Sequence, residues 1–263
     1  MNVIRSCFIA VSMYSRFPVP RVEWNREAMG YVMCFFPLTG LLEGLCLGAF
    51  FWLAGEMSLS LDAAALIGTV IPILITGGIH MDGFMDTMDA VCSYGDREKR
   101  LQILKDPHLG AFAVISLAAY LLLYTGLVYE CLKRASSCKG SLFCFFPVLF
   151  MVTERAFSGI SVLLFPSAKN KGTAAGFSQA ANRRVSLAAL IVWLLAVIGC
   201  AWLFWGRRGG FWALGFEMLQ LCLFGYYYYK SRSVFGGITG DLAGWFLQLC
   251  ELGSWFLAVF LFS

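Results

Sequence analysis

The sequence predicts an all-α integral membrane protein, built as a polytopic helical bundle. Hydrophobic residues make up 59% of the chain and charged residues only 14%, whereas soluble domains carry about 25% charged residues. Mean hydropathy is +0.73. Apolar runs close to the length of a membrane-crossing helix, about 20 residues, recur along the sequence. We therefore expect one membrane-embedded domain over residues 1–263.

About seven transmembrane helices are expected from these apolar runs. The N-terminal stretch "MNVIRSCFIAVSMYSRFPVP" has an apolar run that is broken early and lacks a small-residue cleavage site. It therefore predicts an interfacial helix rather than a signal peptide. The predicted spans are residues 28–55, 59–76, 109–129, 142–165, 185–205, 211–229 and 243–262.

Basic residues are divided unequally between the loops at the two ends of these spans. Fourteen lysines and arginines lie in the loops on the N-terminal side and five in the loops on the opposite side. Cytoplasmic loops carry an excess of Lys and Arg, so we expect the N-terminus and its companion loops to be cytoplasmic. The loops with unusual polar chemistry all fall on this same side, which is the pattern of an active site.

An acidic segment, "GGIHMDGFMDTMDA", directly follows the second apolar span. If it is helical, Asp82, Asp86 and Asp89 share one face within an arc of ~60°. Carboxylates at this spacing repel one another and need a compensating cation. Oxygen ligands without cysteine favour Mg²⁺ or Mn²⁺ over zinc. We expect a metal-binding acidic helix at the cytoplasmic face; the alternative is a solvated acidic helix end without a ligand.

The next segment, "GDREKRLQILKDPHLGAF", adds cations to the acidic helix. Carboxylates that hold a metal beside basic groups suit phosphoryl transfer, because both stabilise charge on phosphate oxygens. Membrane topology alone explains the arginines and Lys99, whereas Lys105 lies beside a Pro-bounded turn and is the stronger phosphate candidate. The residues concerned are Arg97, Lys99, Arg100, Lys105 and the additional acid Asp106.

Other polar residues are weaker candidates. "GGITGD", residues 236–241, is a Gly-rich turn before the last span, where backbone N–H groups can approach a phosphate. Asp241 in this turn is either a helix cap alone or also a site residue. Glu43 and Arg155 lie inside spans and should face the bundle interior or a polar cavity. Helical phasing turns His80 away from the acidic face.

Together these motifs resemble the cobalamin synthase family. "GGIHMDGFMDTMDA" followed by "REKRLQILKDPHLGAF" is similar to the family's Asp-rich signature. "SRFPVP", "PLTGLLEG", "ERAFSGISVLLFPSAKNKGTAAGF" and "GGITGDLAGWFLQLCEL" resemble its other motifs, in the same order. The chain departs from the family pattern at Ala90, Gln102, Pro107 and His108, which weakens any role for positions 102 and 108.

The resemblance implies an enzyme of the inner cell membrane of a prokaryote that uses Mg²⁺. It would join adenosylcobinamide-GDP to α-ribazole, or its 5′-phosphate, and release GMP. The bilayer is an expected partner and nucleic acid is not, while a homo-oligomer is compatible with the sequence. The implied metal ligands are Asp82, Asp86 and Asp89, and the implied catalytic residues are Asp89, Lys105 and Asp106. The implied substrate-binding residues are His80, Arg100, Arg155, Lys171, Gly236, Gly237, Thr239 and Asp241.

The two alternative functions are a membrane phosphotransferase and a cation transporter. A membrane phosphotransferase acting on CDP-activated alcohols also uses an Asp-rich helix, but its Ala-Arg after the glycine is absent from "DGFMD". A cation transporter should carry its acids near the bilayer midplane, whereas these acids lie at one face.

Cys131 and Cys138 share a loop and are either a disulfide or two free thiols.

Overall fold

The computed structural model describes residues 2–135, 144–168 and 173–261, and it confirms the all-α class. Within these residues there is no β-strand, and the only bridge is an isolated one between Ser167 and Ile238. A 3₁₀ turn precedes α3 and a π turn follows α10. The helices are α1 Asn2–Tyr14, α2 Arg26–Met29, α3 Phe36–Glu56, α4 Leu61–Thr76, α5 Ile79–Cys92, α6 Arg97–Ile103, α7 Ala111–Ala135, α8 Pro147–Leu164, α9 Thr173–Ala180, α10 Arg183–Lys230 and α11 Gly240–Leu261.

The acidic helix α5 is set apart from the apolar helix α4 by a double-glycine break. Ser60 caps the start of α4, its side chain accepting a hydrogen bond from the backbone N–H of Ala63. At the other end Gly77 and Gly78 both adopt left-handed backbone conformations, with φ of 65° and 79°. Side chains rarely tolerate such φ values, so glycine is required here. The chain turns by 96° between the two helices, and α5 leaves the direction of α4.

The described chain has fewer long apolar helices than the seven spans that the sequence predicts. Five helices of the described chain are long and apolar enough to cross a membrane, or six if α4 and α5 form one bent span. One reason is that α4, at 16 residues, is short for a span of about 20. The other is that residues 185–205 and 211–229 are counted together as one helix, α10, although α10 is broken at Gly206.

Helix α10 is nevertheless broken at Gly206, whose φ of 63° and ψ of −150° are not helical. A side chain on Gly209 would overlap the carbonyl of Ala201, and one on Gly210 would lie against the indole of Trp202. Residues eight positions apart in a straight helix are too far apart for such contacts, at a rise of about 1.5 Å per residue. The two halves of α10 therefore fold back on each other at Gly206.

The polar loops of the N-terminal side meet at one end of the bundle, as their pattern predicts. The backbone N–H of Arg16, after α1, donates to the carbonyl of Ile75 at the end of α4, at 2.7 Å. The N–H of Ile238, before α11, donates to the carbonyl of Pro166 after α8, at 2.8 Å. These bonds join segments that are distant in sequence and gather them around the end of α5.

An aromatic cluster forms the middle of the bundle. Trp255 of α11 is fully buried, and its ring packs edge-on against Phe51, Tyr124, Phe146 and Phe150 at centroid distances of 5.2 to 6.2 Å. Each aromatic pair contributes about 0.5–1.5 kcal/mol beyond the area it buries. The cluster connects α3, α7, α8 and α11 by shape-specific contacts, which matter because lipid removes the usual hydrophobic drive between membrane helices.

Helices α5 and α11 pack with their backbones almost in contact. A Cβ on Gly83 would lie 2.7 Å from the carbonyl oxygen of Asp241. A Cβ on Gly244 would lie 2.8 Å from the carbonyl oxygen of His80. Small residues permit this close approach in membrane bundles. The acidic helix is thereby held against the first turn of the last helix.

We expect Gly244→Ala to lower the melting temperature of the detergent-purified protein, because the added methyl forces α5 away from α11. Overpacking of this kind costs about 1–3 kcal/mol. The matched control is Gly225→Ala on α10, where an added Cβ meets no atom within 4 Å. Equal melting temperatures for the two variants would show that the α5–α11 contact does not require glycine.

Candidate functional site

Four carboxylates lie together where α5 meets α11. Asp82 is exposed, while Asp86, Asp89 and Asp241 are half-buried. The charges of Asp82, Asp241 and Asp89 all act on the carboxylate of Asp86, in decreasing order. The sequence placed the three α5 acids on one face; the fold adds Asp241 from the far end of the chain.

The Gly-rich turn before α11 presents Asp241 to this group. Thr239 caps α11, because its side-chain oxygen accepts a hydrogen bond from the backbone N–H of Leu242 at 3.2 Å. Its hydroxyl also lies 3.4 Å from Oδ2 of Asp241. Asp241 itself is in the first turn of the helix and lines a cavity together with Asp82. Of the two roles left open by the sequence, the capping role belongs to Thr239.

The acids suit a metal that also binds substrate better than a closed protein cage. Within residues 2–135, 144–168 and 173–261, no three His, Cys, Asp or Glu side chains converge closely enough to hold an ion by themselves. Mg²⁺ usually takes one or two carboxylates and fills its other positions with water and substrate phosphates. The donors here are all oxygen atoms, and their mutual repulsion favours a bound cation. They therefore fit Mg²⁺, which remains a prediction.

Helix α6 brings an arginine to the Gly-rich turn. The guanidinium of Arg97 occupies the space that a Cβ on Gly236 would need. Gly236 and Gly237 have φ of 75° and 157°, in the region that favours glycine. The predicted substrate residue Arg100 is half-buried further along α6, and its Nε has no hydrogen-bond partner in the described chain. The structure thus adds Arg97 to the residues around the Gly-rich turn. In the sequence, its charge needed no explanation beyond membrane topology.

Gly110, before α7, also belongs to the surroundings of the acids. A Cβ there would overlap both carboxylate oxygens of Asp89. The close approach explains why glycine follows the "KDPHL" turn, and sequence reasoning did not assign Gly110 a part in the site. Its position in "HLGAF", just before an apolar span, was the available signal.

Lys105 and Asp106 lie on an exposed turn after α6. The carboxylate of Asp106 accepts hydrogen bonds from the backbone N–H of His108 at 3.0 Å and from its ring Nδ1 at 2.7 Å. These bonds, the backbone one first, hold the pKa of Asp106 below its usual range. A carboxylate with a lowered pKa is a weaker proton acceptor, and Asp106 is not among the acids that act on Asp86.

Arg155 is placed differently from the sequence prediction of a substrate contact. Its side chain is fully buried and donates to Glu43 of α3 at 2.5 Å and to its neighbour Glu154. Glu251 of α11 lies 4.0 Å away. The guanidinium is thus enclosed by carboxylates from three helices and does not face the site. Sequence reasoning missed Glu154 and Glu251, because partners on distant helices leave no local pattern.

The remaining predicted residues are located as follows. His80 is buried, which agrees with its turning away from the acidic face, and it lines the same cavity as Asp82 and Asp241. The prediction for Lys171 lies outside the described residues, as does Cys138. Cys131 is a free thiol buried against the carbonyl of Trp255.

Comparison with known proteins identifies the family. The model of the cobalamin-5-phosphate synthase family matches residues 6–259. The chain belongs to this family. A relative from Lachnoclostridium phytofermentans, named adenosylcobinamide-GDP ribazoletransferase, is 42% identical over 96% of this chain and 92% of its own. A protein of the same name from Desulfitobacterium hafniense is 33% identical over 96% and 95% of the two chains.

A third relative named adenosylcobinamide-GDP ribazoletransferase, from Brevibacillus brevis, is 32% identical over 94% of this chain and 98% of its own. No solved structure matches the chain significantly. The family match confirms the resemblance drawn from the motifs. It covers both the Asp-rich helix and the final "GGITGD" turn.

We expect Arg155→Met to lower the melting temperature strongly, because it leaves Glu43, Glu154 and Glu251 buried without their cation. Removing one partner of a buried ion pair costs about 3–5 kcal/mol. The control is Glu130→Gln, which breaks exposed pairs with Lys133 and Arg134 at the end of α7 and should change stability by about 0–1 kcal/mol. If Arg155→Met has the same melting temperature as the unaltered protein, Arg155 does not stabilise the bundle through its contacts with the three glutamates.

Proposed function

We propose that the protein is an adenosylcobinamide-GDP ribazoletransferase. The reaction joins adenosylcobinamide-GDP to α-ribazole, or to its 5′-phosphate, giving adenosylcobalamin, or its phosphate, and GMP. The observation that carries the proposal is the meeting of the acidic face of α5 with the Gly-rich turn before α11, in a chain of this family. A diphosphate needs both a carboxylate-bound cation and donors for its oxygens.

In this reaction the 5′-oxygen of the ribazole attacks the phosphorus that carries the cobinamide. A new P–O bond forms while the bond from that phosphorus to the oxygen bridging to GMP breaks, and the bridging oxygen leaves on GMP. Of the three expected ligands, Asp82 and Asp86 would hold Mg²⁺ together with water and substrate phosphate oxygens, which leaves Asp89 for proton transfer, and Asp241 would complete the site from α11. When bound, the metal neutralises phosphate oxygens and stabilises the charge that develops on them.

The chain's own residues supply the remaining functions. The guanidinium of Arg97 lies against Gly236 and offers donors to phosphate oxygens, whereas the backbone N–H groups of Gly236 and Gly237 already donate to the carbonyls of Arg232 and Ser231. Lys105 adds an exposed cation nearby in sequence. Asp89, half-buried beside Gly110, is the better acceptor for the ribazole hydroxyl proton, because hydrogen bonds from His108 weaken Asp106 as a base.

The protein is a multi-pass membrane protein, and we propose that its active end faces the cytoplasm of a prokaryotic cell. Fourteen of the loop lysines and arginines belong to the side on which the acids lie, which supports this orientation. Adenosylcobinamide-GDP carries a charged diphosphate, so a cytoplasmic site spares it from crossing the membrane.

Asn substitutions at Asp82, Asp86 and Asp89 test the role of the acidic face. Each should slow GMP release from adenosylcobinamide-GDP and α-ribazole by roughly 10²–10³-fold, the scale of losing one electrostatic stabiliser of the transition state. The matched control is Asp62→Asn, an exposed acid at the opposite end of α4, which should react normally. Near-normal GMP release by all three variants would contradict the assignment.

Metal removal separates the chemistry from folding. We expect excess EDTA to abolish GMP release and added Mg²⁺ to restore it, while the protein stays folded and its melting temperature falls only by the free energy of metal binding. The same assay with a CDP-activated alcohol should release no CMP. Undiminished GMP release in EDTA would exclude the metal, and CMP release would favour the CDP-alcohol class.

A further inference from the structure

A cavity of about 170 Å³ lies beside the acids, between α1, α3, α5, α8 and α11. Apolar and aromatic side chains line much of it, together with two carboxylates of the acidic group, Asp82 and Asp241. Residues that define it include Tyr14, Phe36, His80, Asp82, Ser158 and Asp241.

Three rings line one side of this cavity. The ring of Tyr14, at the end of the interfacial helix α1, packs 4.3 Å from that of Phe36. The imidazole of His80 lies 6.3 Å from Tyr14 and 6.4 Å from Phe36, the latter edge-on. Aromatic rings favour offset or edge-to-face neighbours at these separations. A flat aromatic ligand is the kind of molecule that such a wall stacks against.

His80 provides a polar contact within this apolar cavity. Its side chain is only 4% exposed, and neither ring nitrogen has a hydrogen-bond partner within the described chain. Buried polar atoms of native proteins are nearly always paired, so an unpaired imidazole at a cavity wall points to a partner supplied from outside. A neutral imidazole offers one N–H donor and one acceptor.

We propose that this cavity binds the aromatic base of α-ribazole and that His80 recognises it by a hydrogen bond. The inference rests on the proposed function. The base is a flat, largely apolar bicycle with one ring nitrogen free to accept a hydrogen bond, which matches an aromatic wall that carries an unpaired imidazole. An enclosed apolar cavity of about 150 Å³ takes up benzene, so this cavity of about 170 Å³ has room for at least one ring of the base.

The guanine of the other substrate fits the cavity less well. Guanine carries more donors and acceptors than the base of α-ribazole, and those that face Phe36 and Leu247 would be buried without partners. Binding the ribazole base here also has a geometric consequence. Its ribose then lies toward Asp82 and Asp241, at the boundary of the cavity, and its 5′-oxygen is directed to the acidic face.

Two substitutions test the proposal in the full-length, detergent-purified protein. His80→Phe keeps an aromatic ring but removes the hydrogen bond, and Ala243→Leu fills the cavity from α11. We expect each to raise KM for α-ribazole by about tenfold or more while leaving KM for adenosylcobinamide-GDP unchanged. Calorimetry should show the same loss for α-ribazole alone. His80→Asn, which retains a donor and an acceptor, should recover part of the affinity.

The matched control is Thr153→Ala, a buried polar residue of α8 outside the cavity, whose hydroxyl bonds to the carbonyl of Leu149 within the same helix. It should leave both KM values unchanged. Melting temperatures identify a cavity variant that fails to fold. In that case the KM values of the other cavity variant decide whether the proposal stands. Unchanged α-ribazole affinity in both cavity variants, or an equal rise of both KM values, overturns the proposal. A selective loss of adenosylcobinamide-GDP would assign the cavity to guanine.

The outcome for the unaltered protein separates this inference from the proposed function. If that protein releases no GMP from its two substrates, the proposed function fails and the cavity loses its ligand. If it releases GMP and binds α-ribazole, but His80→Phe and Ala243→Leu do so equally well, the base lies elsewhere and the proposed function stands.

Discussion

The close contact of α5 with α11 is the constraint on which the rest of the site depends. Gly83 and Gly244 let the two backbones meet, and this contact joins an acidic helix from the first third of the chain to a turn near its end. Asp241 thereby reaches Asp86, and His80 reaches the cavity beside them. Any larger side chain at either glycine separates the groups that must act on one substrate.

Two kinds of polar group are kept apart in this bundle. The carboxylates of α5 and α11 lie at the end where the loops gather, so they remain open to charged substrates. Arg155 and its three glutamates lie inside, where carboxylates from α3, α8 and α11 surround one guanidinium. Unpaired charge is costly in the membrane, so the interior cluster holds helices together while the outer acids stay available for chemistry.

Much of the site was predictable because its chemistry is local in sequence. The spacing of Asp82, Asp86 and Asp89 places them on one face of a helix. The glycines of "GGITGD" predict a turn before an apolar helix. The site's other neighbours were not predictable. Arg97 reaches Gly236, and Gly110 lies against Asp89, across gaps in sequence that no periodic pattern spans. The expected substrate role of Arg155 failed for the same reason, since its carboxylate partners come from other helices.

The sequence by itself determined the class of this protein, its apolar helices, its family and the three acids of α5, because hydropathy, helical period and motif order are properties of the chain. Tertiary structure alone decided that Gly206 folds α10 back on itself, that Thr239 rather than Asp241 caps α11, and that His80 faces a cavity. These features depend on which backbones approach one another, and in a membrane bundle that is set by small residues and side-chain shape rather than by hydrophobicity.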